Sequence, residues 1–451
     1  MLVPPEAYIL AATIALVCAG PFVARLARPS VLSPIVWIVL AYTISFVVRP
    51  LYILLRPGEA HPYVGHDVAF PQLVVGGLAL ALAGIVVLWV GFLWRAGEGV
   101  SRSIPLWPQE ISPARWRQAV LALFLLGVVG WVLLIRQAGG FSALIAMLAT
   151  RAEFYESDEL GGGLKMIARC SGIAAVLGIH HHLTMKRVWW AWPLVIASTL
   201  MVGTTGGRGA VIMQIWLVTY ALFALHRPRY ASWRFVSVLL LGLAFAATAA
   251  LAARRATARG PGAVLGALRE VPGEFSEAAM EEARGFDYLT ATLHASGRAI
   301  APQEGATYAP LVLLLVPRFV RPYQPVSAGM LLREVIEPTG IGGRPSTAMG
   351  EGYMNFGLAG ALAAMFLVGV WCRVVQGYGS RALGRSRIAP VLYAYALAGV
   401  PHFMLGVAPL AIRGFAATLL PVLIAFLWSA RVTPVGSVAS PAPHGRPAGA
   451  G

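Results

Sequence analysis

Apolar runs of about 17–25 residues, the length that crosses a bilayer as a helix, recur along this chain from Tyr8 to beyond Gly414. In lipid, backbone donors and acceptors must be satisfied within the spanning segment, so runs of this length predict helices. Charged residues make up only 12% of the 451 and hydrophobic residues 58%, with a mean hydropathy of +0.72. A soluble domain carries about 25% charged residues, so the fold class expected is an all-α polytopic membrane protein. The run from Tyr8 to Val23 has no basic stretch before it and no small-residue cleavage site after it. It is read as a first span rather than a removed signal peptide.

Eleven spans are expected, at 7–24, 32–48, 70–94, 118–135, 163–180, 188–203, 209–225, 235–253, 357–374, 388–405 and 414–429. The chain then divides into helices one to eight (1–253), a long external loop (254–356), helices nine to eleven (357–430) and a Pro/Gly/Ala-rich cytoplasmic tail (431–451) that reads as disordered. The long loop is expected to contain a helix from Glu274 to Arg284 onward.

Orientation follows from Lys and Arg in the short connections. One side collects 17 of the 35 basic residues with only Glu98 and Glu110 as acids, a balance of +15. The other side holds the remaining 18 basic and 17 acidic residues, a balance of +1. The first side is expected to be cytoplasmic, which puts the N-terminus outside and the C-terminus inside. The formal charge of +16 is thus a topology signal that also suits anionic lipid heads; it gives no reason to expect nucleic acid.

Cys18, Cys170 and Cys372 each fall in an apolar run, which gives neither a disulfide framework nor metal-ligand spacing. The run His180, His181, His182 does not share one helix face, because side chains that do are three or four residues apart. The acidic cluster Glu153, Glu156, Asp158, Glu159 reads as a solvated charge run. No metal and no cofactor is expected.

No Asp or Glu lies in any of the expected spans. Ion-coupled transporters place carboxylates near the membrane midplane, so that class is disfavoured. Arginine is what the chain keeps near the outer face. Arg208 stands in the Gly-rich break between spans six and seven, Arg413 at the start of the last span, and Arg318 and Arg321 flank Phe319 and Val320 between prolines. Guanidinium groups pair phosphate oxygens bidentately and stay charged, so these residues read either as a diphosphate clamp or as loop ion pairs. Glu351 lies between glycines shortly before a span, beside Tyr353 and Asn355. There, partial burial suits a general base, and a helix-terminal carboxylate favoured by the dipole is the plainer alternative. His402, near the outer end of span ten, is a second candidate base or a structural residue.

Five motifs together resemble the bacterial O-antigen polymerase, or oligosaccharide repeat unit polymerase, family. They are Gly139–Gly140 with Arg151; Gly206–Gly209 around Arg208; Gly305–Tyr308 leading to Pro317–Pro322 with Arg318 and Arg321; Gly350–Gly357 with Glu351, Tyr353 and Asn355; and Arg413–Gly414. The family often has Trp-Pro-x-Lys-Pro after the first arginine of the third motif; here Gln324 stands at the lysine position, with Arg321 nearby.

The resemblance implies the C-type glycosyltransferase (O-antigen polymerase-ligase) fold. It implies polymerisation of undecaprenyl-diphosphate-linked oligosaccharide repeat units at the outer face of a bacterial cytoplasmic membrane, without metal. Arg151, Arg208, Arg318, Arg321, Tyr353, Asn355 and Arg413 would bind substrate, and Glu351 or His402 would be the base. Implied partners are the lipid-linked oligosaccharide, the bilayer and a chain-length regulator protein. A ligase-like transferase and a lipid-linked glycan flippase are the alternatives.

Overall fold

The computed structural model describes residues 4–24, 30–56, 70–106, 111–144, 159–185, 188–204, 208–242, 280, 283–312, 326–338, 343–406 and 408–430. These form helices and short connections; no β-strand occurs among them, only the isolated bridges Ile111–Ala430 and Ser296–Ile300. In chain order the main helices are α1 (Pro5–Val23), α2 (Pro34–Leu55), α3 (Phe70–Leu93), α4 (Ala96–Ser103), α5 (Pro113–Gln137), α6 (Glu159–Ala168), α7 (Cys170–Thr184), α8 (Ala191–Thr204), α9 (Arg208–His226), α10 (Trp233–Gly242), α11 (Gly285–Ala295), α12 (Ala328–Ile336), α13 (Ala348–Ala382), α14 (Ala389–Leu405) and α15 (Ala408–Ser429). Proline opens α1, α2 and α5, where its missing N–H has no helical partner to lose. The glycine pair after α5 ends it: Gly139 and Gly140 have φ of 84° and 118°, and the Gly140 N–H bonds the Ile135 carbonyl at 2.9 Å, a left-handed helix stop.

A helix occupies each of the eleven expected stretches, the eighth being described only over α10. Five are long and apolar enough to cross a membrane: α1, α2, Pro71–Leu93 of α3, α5 and α13. Several boundaries differ from the sequence reading, among them the end of α2 at Leu55 rather than 48 and of α13 at Ala382 rather than 374; two shifts move candidate residues. The last helix starts at Ala408, so Arg413 lies inside it rather than at its beginning, and α13 starts at Ala348 rather than 357.

The buried apolar side chains form two main clusters. The first joins α1, α2, α3, α11, α12 and α13, and the second joins α5, α7, α8, α9, α14 and α15. The tightest crossing is between α3 and α13. A Cβ on Gly91 would fall on the Phe366 carbonyl oxygen, and one on Gly369 would fall on that of Leu88 and within 2.8 Å of the Phe92 nitrogen. Backbone touches backbone there, and no side chain can swing aside. Gly369→Val is therefore expected to cost about 3 kcal/mol, the upper end of overpacking effects, or more. Thermal unfolding of the detergent-purified protein reads this, and an unchanged Tm would contradict the crossing.

Segments expected on the basic side meet at one end of the bundle. Arg373 and Arg102 each donate to the Glu98 carboxylate at 3.0 Å, and Arg381 donates to the carbonyls of Ser101 and Ile104. The Arg102 hydrogen bond and the Arg373 charge hold the Glu98 carboxyl below the usual range. Ser112 donates its N–H to Ser429 at 2.9 Å, tying the start of α5 to the end of α15. The three adjacent histidines diverge: His180 faces Trp116 and His226, His181 stacks on Trp190, and His182 bonds Val188. No group of three or more His, Cys, Asp or Glu suited to a metal occurs among the described residues.

Candidate functional site

Within α13 the helix breaks at Phe356 (φ −137°, ψ 21°) and Gly357 (φ 61°, ψ −148°). The second of these backbone states is open essentially only to glycine. Across the break the chain doubles back. A Cβ on Gly352 would meet the Gly360 carbonyl, and one on Gly360 would meet that of Gly352. Residues 348–355 are thus a short arm packed on the first turn of the long span 358–382. Glycines at 352 and 360 are what let the two backbones touch.

Both ends of the arm are held by specific groups. At its start Thr347, with φ 58° and ψ 154°, accepts the Gly350 N–H on its hydroxyl at 3.0 Å, a helix cap. A positive φ is unusual for a β-branched residue and marks a constrained backbone. At its end the break frees the last carbonyls of the arm, which would be left without helical partners. The N–H groups of Gln303 and Glu304 take the carbonyls of Met354 and Asn355 at 3.0 and 3.2 Å. The Asn355 side chain completes the join by accepting the Gly305 N–H at 2.9 Å.

Glu351 lies in the middle of this arm and is wholly buried, with 0% of its surface exposed. Its Oε1 accepts the Thr307 hydroxyl at 3.0 Å. The Thr307 oxygen in turn accepts Asn355 Nδ2 at 2.7 Å, and the same Nδ2 donates to the Glu351 carbonyl at 2.8 Å. Thr307 therefore donates its one hydroxyl hydrogen bond to the carboxylate while an N–H of Asn355 donates to its oxygen. Burial, and then the Glu351 charge, push the hydroxyl of the adjacent Tyr308 well above its ordinary value; it stays protonated at neutral pH. The Ser346 hydroxyl, also buried, has no partner among the described residues.

Of the residues singled out from sequence, this site brings together Glu351 and Asn355. Glu351 is in the first turn of the arm, as the dipole reading has it, but it is fully rather than partly buried. Tyr353 packs half-buried against the first core cluster. The short helical turns 306–312 pack on α15, the helix that carries Arg413, and on α13. Arg208 opens α9, which packs on α7 and α14.

Arg151, Arg318 and Arg321, the acidic cluster 153–158 and residues 274–279 of the expected loop helix lie outside the described residues. His402 is exposed in the last turn of α14. The end of α14 meets α11 at Gly285, through Leu405. The arm meets α11 at Thr292, which lies about 10 Å further along that helix at 1.5 Å per residue.

Three residues of this region had no role assigned from sequence: Thr307, Arg49 and Asp287. Thr307 was inside a quoted motif, but its bond to Glu351 spans 44 positions. Arg49 and Asp287 form a bidentate pair at 3.1 and 2.5 Å, with side chains 2% and 1% exposed. The available sequence signal was a charge at the end of one apolar run and a lone acid in another (Phe286 to Ala291). Arg344 pairs with Glu337 on the loop that follows α12. No known protein family, curated protein or solved structure matches the chain.

Proposed function

We propose that this chain is a metal-independent, lipid-diphosphate-dependent glycan polymerase of the outer face of a bacterial cytoplasmic membrane. The observation that carries the reading is the hydroxyl-to-carboxylate contact of Thr307 and Glu351 at 3.0 Å, held in an arm folded back on an apolar span. An acceptor sugar presents a hydroxyl of the same kind. In the working enzyme that hydroxyl takes the place of Thr307 on Glu351. Glu351 accepts its proton as the oxygen attacks the anomeric carbon of the growing chain, and the bond from that carbon to the diphosphate breaks. The lipid diphosphate leaves with the bonding pair, so positive charge is needed where it departs. Arg413, on the helix that packs against 306–312, and Arg208, Arg318 and Arg321 are the groups proposed for that charge, with Arg151 and Tyr353 toward the glycan. Asn355 holds the arm at Glu351 by donating to its carbonyl, and keeps Thr307 beside the carboxylate until the acceptor hydroxyl replaces it.

The test is to incubate the purified protein with undecaprenyl-diphosphate-linked repeat units and no other acceptor. A ladder of longer chains, unaffected by chelator, is expected. No extension, or extension only when a different acceptor is added, overturns polymerase activity, and the second outcome points to a ligase. Orientation is read separately with Ala299→Cys and Ser380→Cys, both exposed positions, since the three native cysteines are buried. Impermeant reagent applied from outside is expected to label only position 299; labelling of only position 380 would reverse the orientation.

A further inference from the structure

Among the residues whose side chains are described, the only buried Asp, Glu, Lys or Arg besides Glu351 are Arg49 and Asp287. They come from far apart in sequence. Arg49 follows directly on a π-helical stretch of α2, Ile44–Val48, and Asp287 is in the first turn of α11. A π-helical insertion changes which face the following residues present, and such insertions are frequent at functional sites. Here the residue next after it is the one that pairs with α11. Ser45 of the same stretch lies 3.3 Å from the Cβ position of Gly285, so α11 rests on this stretch along its first turn. Tyr52, a turn further along α2, lies under the Arg49 guanidinium at 5.7 Å from its ring centre.

A buried ion pair is a poor source of stability, because desolvating both charges offsets their attraction, and an apolar pair of similar volume often serves as well. What two hydrogen bonds in a fixed fork do supply is orientation. They set the rotation and depth of α11 against α2. The other end of α11 backs the Glu351 arm: Thr292 Oγ1 lies 3.3 Å from the Cβ position of Gly350, and the Thr347 hydroxyl lies at the same distance from it. Glu351 is the next residue.

We propose that Arg49 and Asp287 are positioning residues for Glu351. Their ion pair fixes α11 so that Thr292 seats the start of the arm and aims the carboxylate. The inference rests on the reading of Glu351 as the base, and two independent readouts separate them. The variant is the isosteric apolar pair Arg49→Met with Asp287→Leu, in the full chain. Amide hydrogen exchange of residues 348–355 is expected to speed up more than tenfold while that of α5 is unchanged. On undecaprenyl-diphosphate-linked repeat units, kcat is expected to fall by about 10²-fold, the usual effect of a misplacement near 1 Å, with KM within twofold. A purely structural pair would move Tm and leave that kcat-to-KM split alone.

Wild-type exchange in the arm, or wild-type kcat, overturns the proposal. If the wild-type protein itself extends no chain, the catalytic reading fails, and the exchange comparison still decides whether the pair seats the arm. Should the double variant not fold, Arg49→Lys carries the same comparison. It keeps the charge but loses the fork, so partial loss of arm protection is expected, and unchanged protection overturns the proposal.

Discussion

Glu351→Gln is expected to stop chain growth, by about 10²- to 10⁴-fold, the range that a positioned general base contributes. Glutamine has the same length and can still accept the Thr307 hydroxyl on its Oε1, so the contact at 3.0 Å survives in form. What it cannot do is take a proton. Its added N–H donors meet a fully buried pocket, and the stability cost is of the order of 1–3 kcal/mol for a buried group imperfectly paired. The measurement is chain growth by protein shown to be folded by its Tm.

Glu351→Asp separates charge from reach. It keeps the carboxylate but withdraws it by one methylene, and about 10²-fold loss is expected from misplacement alone. His402→Ala, at an exposed position on another helix, is expected to stay within about twofold of wild type, since surface changes away from special features rarely matter. Growth by Glu351→Gln above a tenth of the wild-type rate sinks the base assignment. Loss in His402→Ala instead would transfer it.

What the sequence made legible was the part that depends on runs. Each expected span has a helix because apolar length and helix-opening prolines are local properties, readable without knowing what packs where. The grouping of Arg373, Arg381 and Glu98 at one end followed from counting charges in connections; Arg373 does meet Glu98, and Arg381 reaches the carbonyls of Ser101 and Ile104 nearby. The site was legible only in outline. Glu351 and Asn355 stood out as polar residues at the edge of a span, but the glycine-permitted reversal at 356–357 is a tertiary event, and the sequence reading ran the span straight from 357.

The helix Gly285–Ala295 shows the limit more sharply. Placed within the long loop 254–356 by the sequence reading, it buries Phe286, Leu289, Ala291 and Ala295 in the first core cluster, which no local pattern announced. Asp287, which argues for a loop when read alone, is tolerated there because Arg49 neutralises it from 238 positions away. Pairing over such separations leaves no local trace. Arg413 was displaced for a simpler reason: the sequence reading drew the last span from 414, yet the helix begins at Ala408 and continues through Gly414, where a Cβ would meet nothing within 4 Å.

The reversal that carries Glu351 gives the second large effect. Gly360→Ala adds one methyl group, and that methyl would fall on the Gly352 carbonyl and 2.7 Å from the Phe356 Cβ. Neither is the end of a flexible side chain, so the arm has to lift off the span. Gly357→Ala attacks the same feature through the backbone, by placing a side chain at φ 61° and ψ −148°, at a strain of about 1–3 kcal/mol. In both variants the crossing at Gly369 lies some turns away and should hold, so insertion and most of the thermal stability are expected to remain. Activity is not: with the arm displaced, Glu351 loses its alignment with Thr307, and a drop of about 10²-fold or more follows from misplacement of the reacting groups. Gly76→Ala is the control, since a Cβ there meets nothing within 4 Å and the exchange favours a helix by about 1 kcal/mol; it should chain-extend as wild type does. Wild-type activity in Gly360→Ala would mean that the arm does not pack on the span as described. The carboxylate would then have no fixed place from which to act as a base.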